Sequence, residues 1–325
     1  MHRNKVKVNI CFLHRIVKLN FMIDLRRLHV LRAVSHYGTV TAAAKALHLS
    51  PSAASQQIRQ LAKELEVTLL EPQGRNVRLT AAAHILLSHA DAIEARWRRA
   101  ETELYATGTE PGGQLRLCGF STAIATLLAP ATEQLHVRYP AINVQLREAN
   151  ASECFDQLFS GDADVAVVES NLDSPPLDDI RFDQQALFND PFDVVVSADH
   201  PFADLETISL EKTAREAWIL GLPASASRQH VLAACSNAGF SPSIAHEASE
   251  WPVVAALVAH RLGIALIPRL AELPPHLPLT RIPIVGPHTP FRHFLSCTRR
   301  GEREHPTIAA ILSAIDEVND ARNKS

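Results

Sequence analysis

The sequence predicts a multidomain chain: an all-α head with a small β-hairpin, one long helix, and an α/β part built as two similar halves. Three observations predict it. Two short helical patterns near the start are joined by a three-residue turn. An apolar stripe with heptad spacing follows over six positions. Strand-like and helix-like patterns then alternate to the end. A length of 325 residues also exceeds what one core usually organises, and suits two or three.

Residues 1–21 are expected to be an unstructured extension, or an upstream start placed before Met22. Their apolar patch is broken by His14, Arg15 and Lys18, and no small-residue cleavage site follows, which reads against a secretory leader. Asp24–His36 then repeats apolar residues at Leu25, Leu28, Leu31 and Val34, one face of a helix that Tyr37-Gly38 ends. Thr39 or Thr41 caps an alanine-rich helix that reaches Leu47. His48-Leu49-Ser50 forms a tight turn. Ser50 caps the next helix and Pro51 opens it, because a first helical residue needs no N–H. This helix runs to about Leu65, with Ala54, Ile58, Leu61 and Leu65 facing inward. The arrangement is a helix-turn-helix plan, although a generic three-helix bundle would share the pattern.

Gly74 then permits a turn, and Val77–Thr80 alternates like a strand. The pair makes a winged helix-turn-helix, with Arg75 and Arg78 on the wing; an ordinary hairpin with solvated arginines is the alternative. From Thr80 to about Tyr105 a helix carries Leu86, Ala90, Ile93, Trp97, Ala100 and Leu104, spaced alternately four and three residues apart. Such a seam favours a partner helix, hence a dimer, over a helix lying on its own domain. The expected divisions are 22–80 for the head, 81–106 for the dimerising helix, 107–114 for a hinge and 115–325 for the α/β part. In that part LRLCGF, INVQLREAN and ADVAVVES read as strands separated by helices, a parallel βαβαβ sheet. A second alternating set, from FDVVVSADHP through Gly263–Pro268, implies another half and a ligand cleft between the two.

Composition narrows the function. An apolar fraction of 46% and a charged fraction of 21% are those of a globular chain, and no apolar run is long enough to cross a bilayer. The net charge of −3 conceals an asymmetry. Met22–Leu79 holds eight basic and four acidic residues, whereas Gln114 to the end holds sixteen and twenty-six, a local balance of −10. A basic head on an acidic body fits a protein that meets DNA at one end. Five scattered cysteines suit reduced thiols in a cytoplasm, and sixteen histidines show no metal-ligand spacing, so no metal and no cofactor are expected. The chain carries neither Gly-x-Ser-x-Gly nor a phosphate-binding loop, so an enzyme is not expected. A transport-type solute-binding protein would explain the α/β part but not the head.

The blocks MIDLRRLHVLRAVSHYGTVTAAAKALHLS, SPSAASQQIRQL and GRNVRLT, with GDADVAVV, Asp199-His200-Pro201 and LGIALIP later, resemble LysR-type transcriptional regulators over Met22–Val318. The resemblance implies a homodimer or tetramer, double-stranded DNA as partner, RNA polymerase as a further candidate partner, and no membrane. It also implies a periplasmic-binding-protein-like sensor for a small-molecule effector. Its inserted half is expected at 187–273, and the other half at 115–175 and 276–325. Where the family has glutamate after the leucine of the recognition helix, glycine at its end and arginine before the wing, this chain has Ala62, Glu66 and Pro72. Ala81-Ala82-Ala83 likewise departs from the residues usual after the wing.

On that resemblance the recognition helix presents Pro51, Ser52, Ala53, Ser55, Gln56 and Arg59 to the major groove. Gln56 suits a bidentate contact to adenine, and Arg59 a guanine or phosphate. Thr39 and Thr41 offer hydroxyls and helix-start N–H groups to a phosphate, and Arg75 and Arg78 grip the flanking backbone or the minor groove. In the sensor, Ser121 and Thr122 open a helix directly after a strand and suit an anion, a simple cap being the compatible alternative. Asn150 and the Ser225 segment complete the expected cleft, with Ile264 as its apolar wall.

Overall fold

The computed structural model describes residues 24–73, 76–105, 111–171, 174–223 and 225–323. The expected extension at 1–21, half of the hinge (107–110), Gly74 and Arg75 lie outside them. The chain divides into two units, Met1–Ala100 and Glu101–Ser325.

In the first unit α1 (Leu25–Tyr37), α2 (Val40–Ala46) and α3 (Pro51–Leu65) bury Leu28, Leu31, Val34, Ala43, Ala44, Ala54, Ile58 and Leu61 together. Each helix start has its cap. The Asp24 carboxylate accepts from Arg26 N at 3.0 Å, Thr39 Oγ1 from Ala42 N at 3.1 Å, and Ser50 Oγ from Ala53 N at 3.2 Å. Thr39 rather than Thr41 is therefore the cap of α2. Gly38 ends α1 in the left-handed region at φ 74°. Strands β1 (Leu70–Gln73) and β2 (Asn76–Leu79) form an antiparallel hairpin, Glu71 opposite Arg78. Helix α4 (Ala81–Tyr105) follows for 25 residues, with Thr80 Oγ1 accepting from Ala83 N.

α3 ends on Glu66 at φ 55°, a conformation that glycine adopts without the penalty a Cβ brings. Glu66→Gly relieves that contact but loosens the unfolded chain. We expect a net stabilisation of about 0.5–1 kcal/mol; chemical denaturation showing no gain would contradict the strain.

The second unit holds a seven-stranded mixed sheet. Strands β3 (Gly113–Gly119), β4 (Ile142–Glu148) and β5 (Val165–Glu169) are parallel. Strand β6 (Phe182–Ser197) is sixteen residues long and is antiparallel to its neighbours. The helix after β3 begins as α5 (Ser121–Ala123), widens to a π-turn at Ile124–Leu128 and continues as α6 (Ala129–Arg138). Pro130 explains the widening. It has no N–H to give Thr126, and Ala129 N bonds Ile124 O instead. The other elements are α7 (Ala151–Ser160), a 3₁₀ turn (Leu210–Thr213), β7 (Ala217–Leu220), α8 (Ala226–Asn237) and β8 (Ser243–Glu247). Then come α9 (Trp251–Ala259), β9 (Ala265–Pro268), β10 (Leu279–Pro283), β11 (Phe291–Arg299) and α10 (Pro306–Asn323).

Two main cores form. One gathers Leu115, Leu127, Val167, Phe294, Ile311 and Ile315; the other gathers Phe192, Val194, Trp218, Val231, Ile264 and Ile282. β6 serves both: Leu187 and Phe188 pack on the first core, and Phe192 belongs to the second. The boundaries expected at 187 and 276 are thereby corrected. The second half starts near Phe192, and Leu279–Pro283 still belongs to it, because β10 pairs with Asp193–Ser197 and buries Ile282 there. The chain rejoins the first core along β11. Among the described residues no helix is long and apolar enough to cross a membrane.

Candidate functional site

Because Ala54, Ile58 and Leu61 turn inward, the opposite face of α3 is left to solvent. Pro51, Ser52, Gln56, Arg59 and Gln60 are exposed, while Ala53, Ser55 and Gln57 are half-buried. Ser52 Oγ lies 3.0 Å from Ser50 Oγ at the helix start. Thr41 is exposed; Thr39 is half-buried and engaged as a cap. Arg78 Nη2 donates to Glu71 Oε2 at 2.8 Å across the hairpin. Both side chains are exposed, so the pair contributes little and can be exchanged for a phosphate. α1 and α3 are tied by Arg27 and Glu64, and Gln60 Nε2 also donates to Glu64 at 2.8 Å. Those two hydrogen bonds, from Gln60 first and Arg27 second, hold the Glu64 carboxyl below its usual value.

The heptad seam expected on α4 divides. Ala90 is 4% exposed and Leu86 is half-buried, and Ala83 and Leu87 are buried too. Ile93, Trp97 and Leu104 are 47%, 56% and 72% exposed, with Ala100 exposed among them. Ala90 is therefore covered within one chain, which corrects its assignment to the seam. Spacing alone could not separate the two uses, because both keep the helical period.

In the second unit, Gly119 closes β3 where a Cβ would sit 2.9 Å from Val167 O, so only glycine lets β3 and β5 approach this closely. Phe120 then precedes α5 without any side-chain cap; Ser121 is exposed and Thr122 buried. The helix start thus keeps N–H groups that no side chain of its cap residue satisfies. Asn150 is committed differently. Its side chain accepts from Glu153 N at 3.0 Å while the Glu153 carboxylate accepts from Asn150 N at 3.1 Å, a complete capping box at the start of α7. Ala149 N donates to Gly119 O at 2.9 Å, so both helix starts lie at one sheet edge, that of the C-terminal strand ends.

Glu169 ends β5 at the same edge, and sequence reasoning missed it. Its Oε1 accepts from His230 Nε2 at 2.7 Å, and its Oε2 lies 3.6 Å from the Arg292 guanidinium. His230 belongs to α8, whose cap is Ser225, so this contact joins the two halves. Ser225 Oγ accepts from Arg228 N at 3.4 Å. A Cβ on Gly221 would fall 2.4 Å from Ser225 Oγ, so a larger residue there would displace the cap hydroxyl. Arg292 is buried with Asp190, Nη2 to Oδ2 2.6 Å, and lies over the Phe120 and Phe294 rings at 5.2 and 5.3 Å. Ile264 is corrected. It is 1% exposed in the second core, and borders a cavity of about 260 Å³ beside Asp199, His200, Glu216 and Arg261 rather than the space near Ser121.

Among the described residues the cysteines are all sheltered from solvent. Cys118, Cys154, Cys235 and Cys297 are buried and free. A hydrogen bond with Cys154 together with burial pushes the Cys118 thiol up, and burial alone pushes Cys235 up to about 12. Among the described residues no group of three or more His, Cys, Asp or Glu could hold a metal.

Two family models match. Residues 25–84 match the bacterial regulatory helix-turn-helix protein, lysR family, and residues 108–320 match the LysR substrate binding domain. The chain is 30% identical over 252 residues to the uncharacterized HTH-type transcriptional regulator YybE of Bacillus subtilis (strain 168), covering 77% of this chain and 84% of that one. It is 29% identical over 261 residues to the HTH-type transcriptional regulator AlsR of the same strain, at 77% and 82% coverage. Its fold matches full-length OxyR C199D from Pseudomonas aeruginosa with a TM-score of 0.63 at 21% identity, over 91% of this chain and 95% of that one. A helix-turn-helix head followed by a substrate-binding α/β domain is what both family models describe, and the chain belongs to the LysR family of DNA-binding transcriptional regulators with an effector-binding domain.

Proposed function

We propose that the chain acts as a homodimer, alone or paired into a tetramer, that reads DNA with α3 and responds to a small anionic effector held between the two cores. The exposed edge of Ser52, Gln56 and Arg59 at the start of α3 carries this reading, since it offers a bidentate amide and a guanidinium where a helix enters a major groove. Thr41 and Arg78 flank it, Arg78 exchanging Glu71 for a phosphate; Arg75 is assigned the same task. Ile93, Trp97, Ala100 and Leu104 form the dimer stripe. The uncapped start of α5 at Ser121 and Thr122 supports a carboxylate or similar anion, because helix-start N–H groups favour negative charge. Asn150 and Ser225 border it through their helix caps. The effector works by its difference in affinity for two closures of the halves, which the Glu169–His230 contact spans. Bound to its promoter the dimer contacts RNA polymerase. It needs no cofactor or metal, catalyses no reaction, and works in the cytoplasm, as its free thiols suit.

Selection of DNA from a random duplex pool tests the DNA reading. Gln56→Ala should relax base choice at one position by ~1–3 kcal/mol. Arg78→Ala should weaken every sequence alike and reduce the salt slope by about one. Equal losses on selected and random DNA for Gln56→Ala would sink its assignment.

A further inference from the structure

Among the described residues of the first unit, Arg32 is the one charged side chain that is buried. It stands in α1 between Leu31 and Ala33, where the apolar pattern would accept a hydrophobic residue. Its Nη1 donates to Asp91 Oδ1 on α4 at 3.1 Å, and its Nη2 donates to His29 Nδ1 at 3.0 Å. A guanidinium only donates, so His29 Nδ1 accepts and that ring is neutral, with its proton on Nε2. Asp91 is also sheltered, its side chain 12% exposed.

A buried ion pair is a poor means of stabilisation, because desolvating two charges offsets their attraction and apolar residues of similar volume do as well. What it adds is geometry. The hydrogen bonds from Arg32 to Asp91 and His29 are made in one arrangement of α1 and α4 and lost in others, which is costly for a buried charge. The arrangement fixed here is that of α4 against the head. Asp91 lies one turn after Leu87 and two residues before Ile93, at the junction between the buried and exposed portions of the helix.

We propose that Arg32 and Asp91, with His29 behind them, are positioning residues that set the angle between the recognition helix and the dimer stripe, and thereby the half-site spacing the dimer accepts. The proposal rests on the dimer reading above. From Asp91 to Ala100 α4 rises about 14 Å. A tilt of about 15° over that length moves the far end by about 3.6 Å, close to the step of one base pair.

The test uses the full chain and DNA. Half-sites recovered from the random pool are rebuilt with spacers lengthened or shortened one base pair at a time. The wild type should show a sharp optimum, losing about tenfold in affinity one step away, as one head disengages. Arg32→Met combined with Asp91→Leu should keep the wild-type mass in sedimentation and the wild-type affinity for a single half-site, yet flatten the profile to about threefold or less. If that variant does not fold, Arg32→Lys keeps the charge but loses the second donor to His29, and should broaden the profile partway. An unchanged profile in a folded dimeric variant overturns the proposal, as does a wild type indifferent to spacing. A monomeric wild type would instead defeat the dimer reading on which it stands.

Discussion

Trp97→Glu is expected to turn the dimer into a monomer in sedimentation and to lower affinity for a two-half-site operator by about 10²–10⁴-fold, leaving single half-site affinity unchanged. The reason lies in where α4 spends its apolar residues. Ala83, Leu87 and Ala90 are covered within the chain, while Ile93, Trp97 and Leu104 leave 47%, 56% and 72% of their surface to solvent. Trp97 is the largest of them and sits at the centre of the stripe. A carboxylate there would have to be desolvated in the dimer, with no cation of its own chain one turn before it to offset the cost, since Ile93 occupies that place. Ala90→Glu makes the contrast: it should damage folding of the head, not association alone. A Trp97→Glu chain that remains dimeric would show that the stripe is not the interface.

Asp190→Ala is expected to destabilise the effector-binding domain by about 3–5 kcal/mol, because it strands a buried guanidinium. Arg292 has 4% of its side chain exposed and Asp190 1%. The Asp190 carboxylate accepts from Arg292 at 2.6 Å and from Leu270 N at 3.1 Å, so one truncation leaves two donors without it. Glu169 stays within 3.6 Å of Arg292 and offsets part of the loss. For a domain of this size the change corresponds to a fall in Tm of roughly 6–20 °C. Asp190→Leu with Arg292→Met should recover most of it, since no charge is then buried. A loss below about 1 kcal/mol for Asp190→Ala would mean the pair is not a joint of the fold. The same variant should also alter effector response, because Arg292 sits beside the Glu169–His230 contact between the halves.

The head was legible in the sequence because its determinants are local. Asp24, Thr39, Ser50 and Gly38 act within three or four residues of themselves, and the inward faces of α1 and α3 follow one helical period. The second unit was less so. β6 was read only from Phe192 onward, since Gln184, Gln185, Asn189 and Pro191 carry poor strand propensity and hold their places through β11, about a hundred residues away. For the same reason Glu169, His230 and Arg292 went unseen: their partners are 61 and 102 residues distant in the chain. Ile264 shows a different limit. A buried strand end is apolar whether it faces a core or a cleft, and only packing tells which. On α4 the period was correct but not its meaning, because one stripe serves folding at Ala90 and remains open from Ile93 onward.

Footprinting the wild-type chain on a DNA fragment selected by it, at low and at moderate salt, tests the central claim most directly. Two protected patches centred one helical turn apart, about 10–10.5 base pairs, or a multiple of that, are expected, weakening as salt rises. A single protected patch, or none even at low ionic strength, would contradict a paired α3 reading DNA.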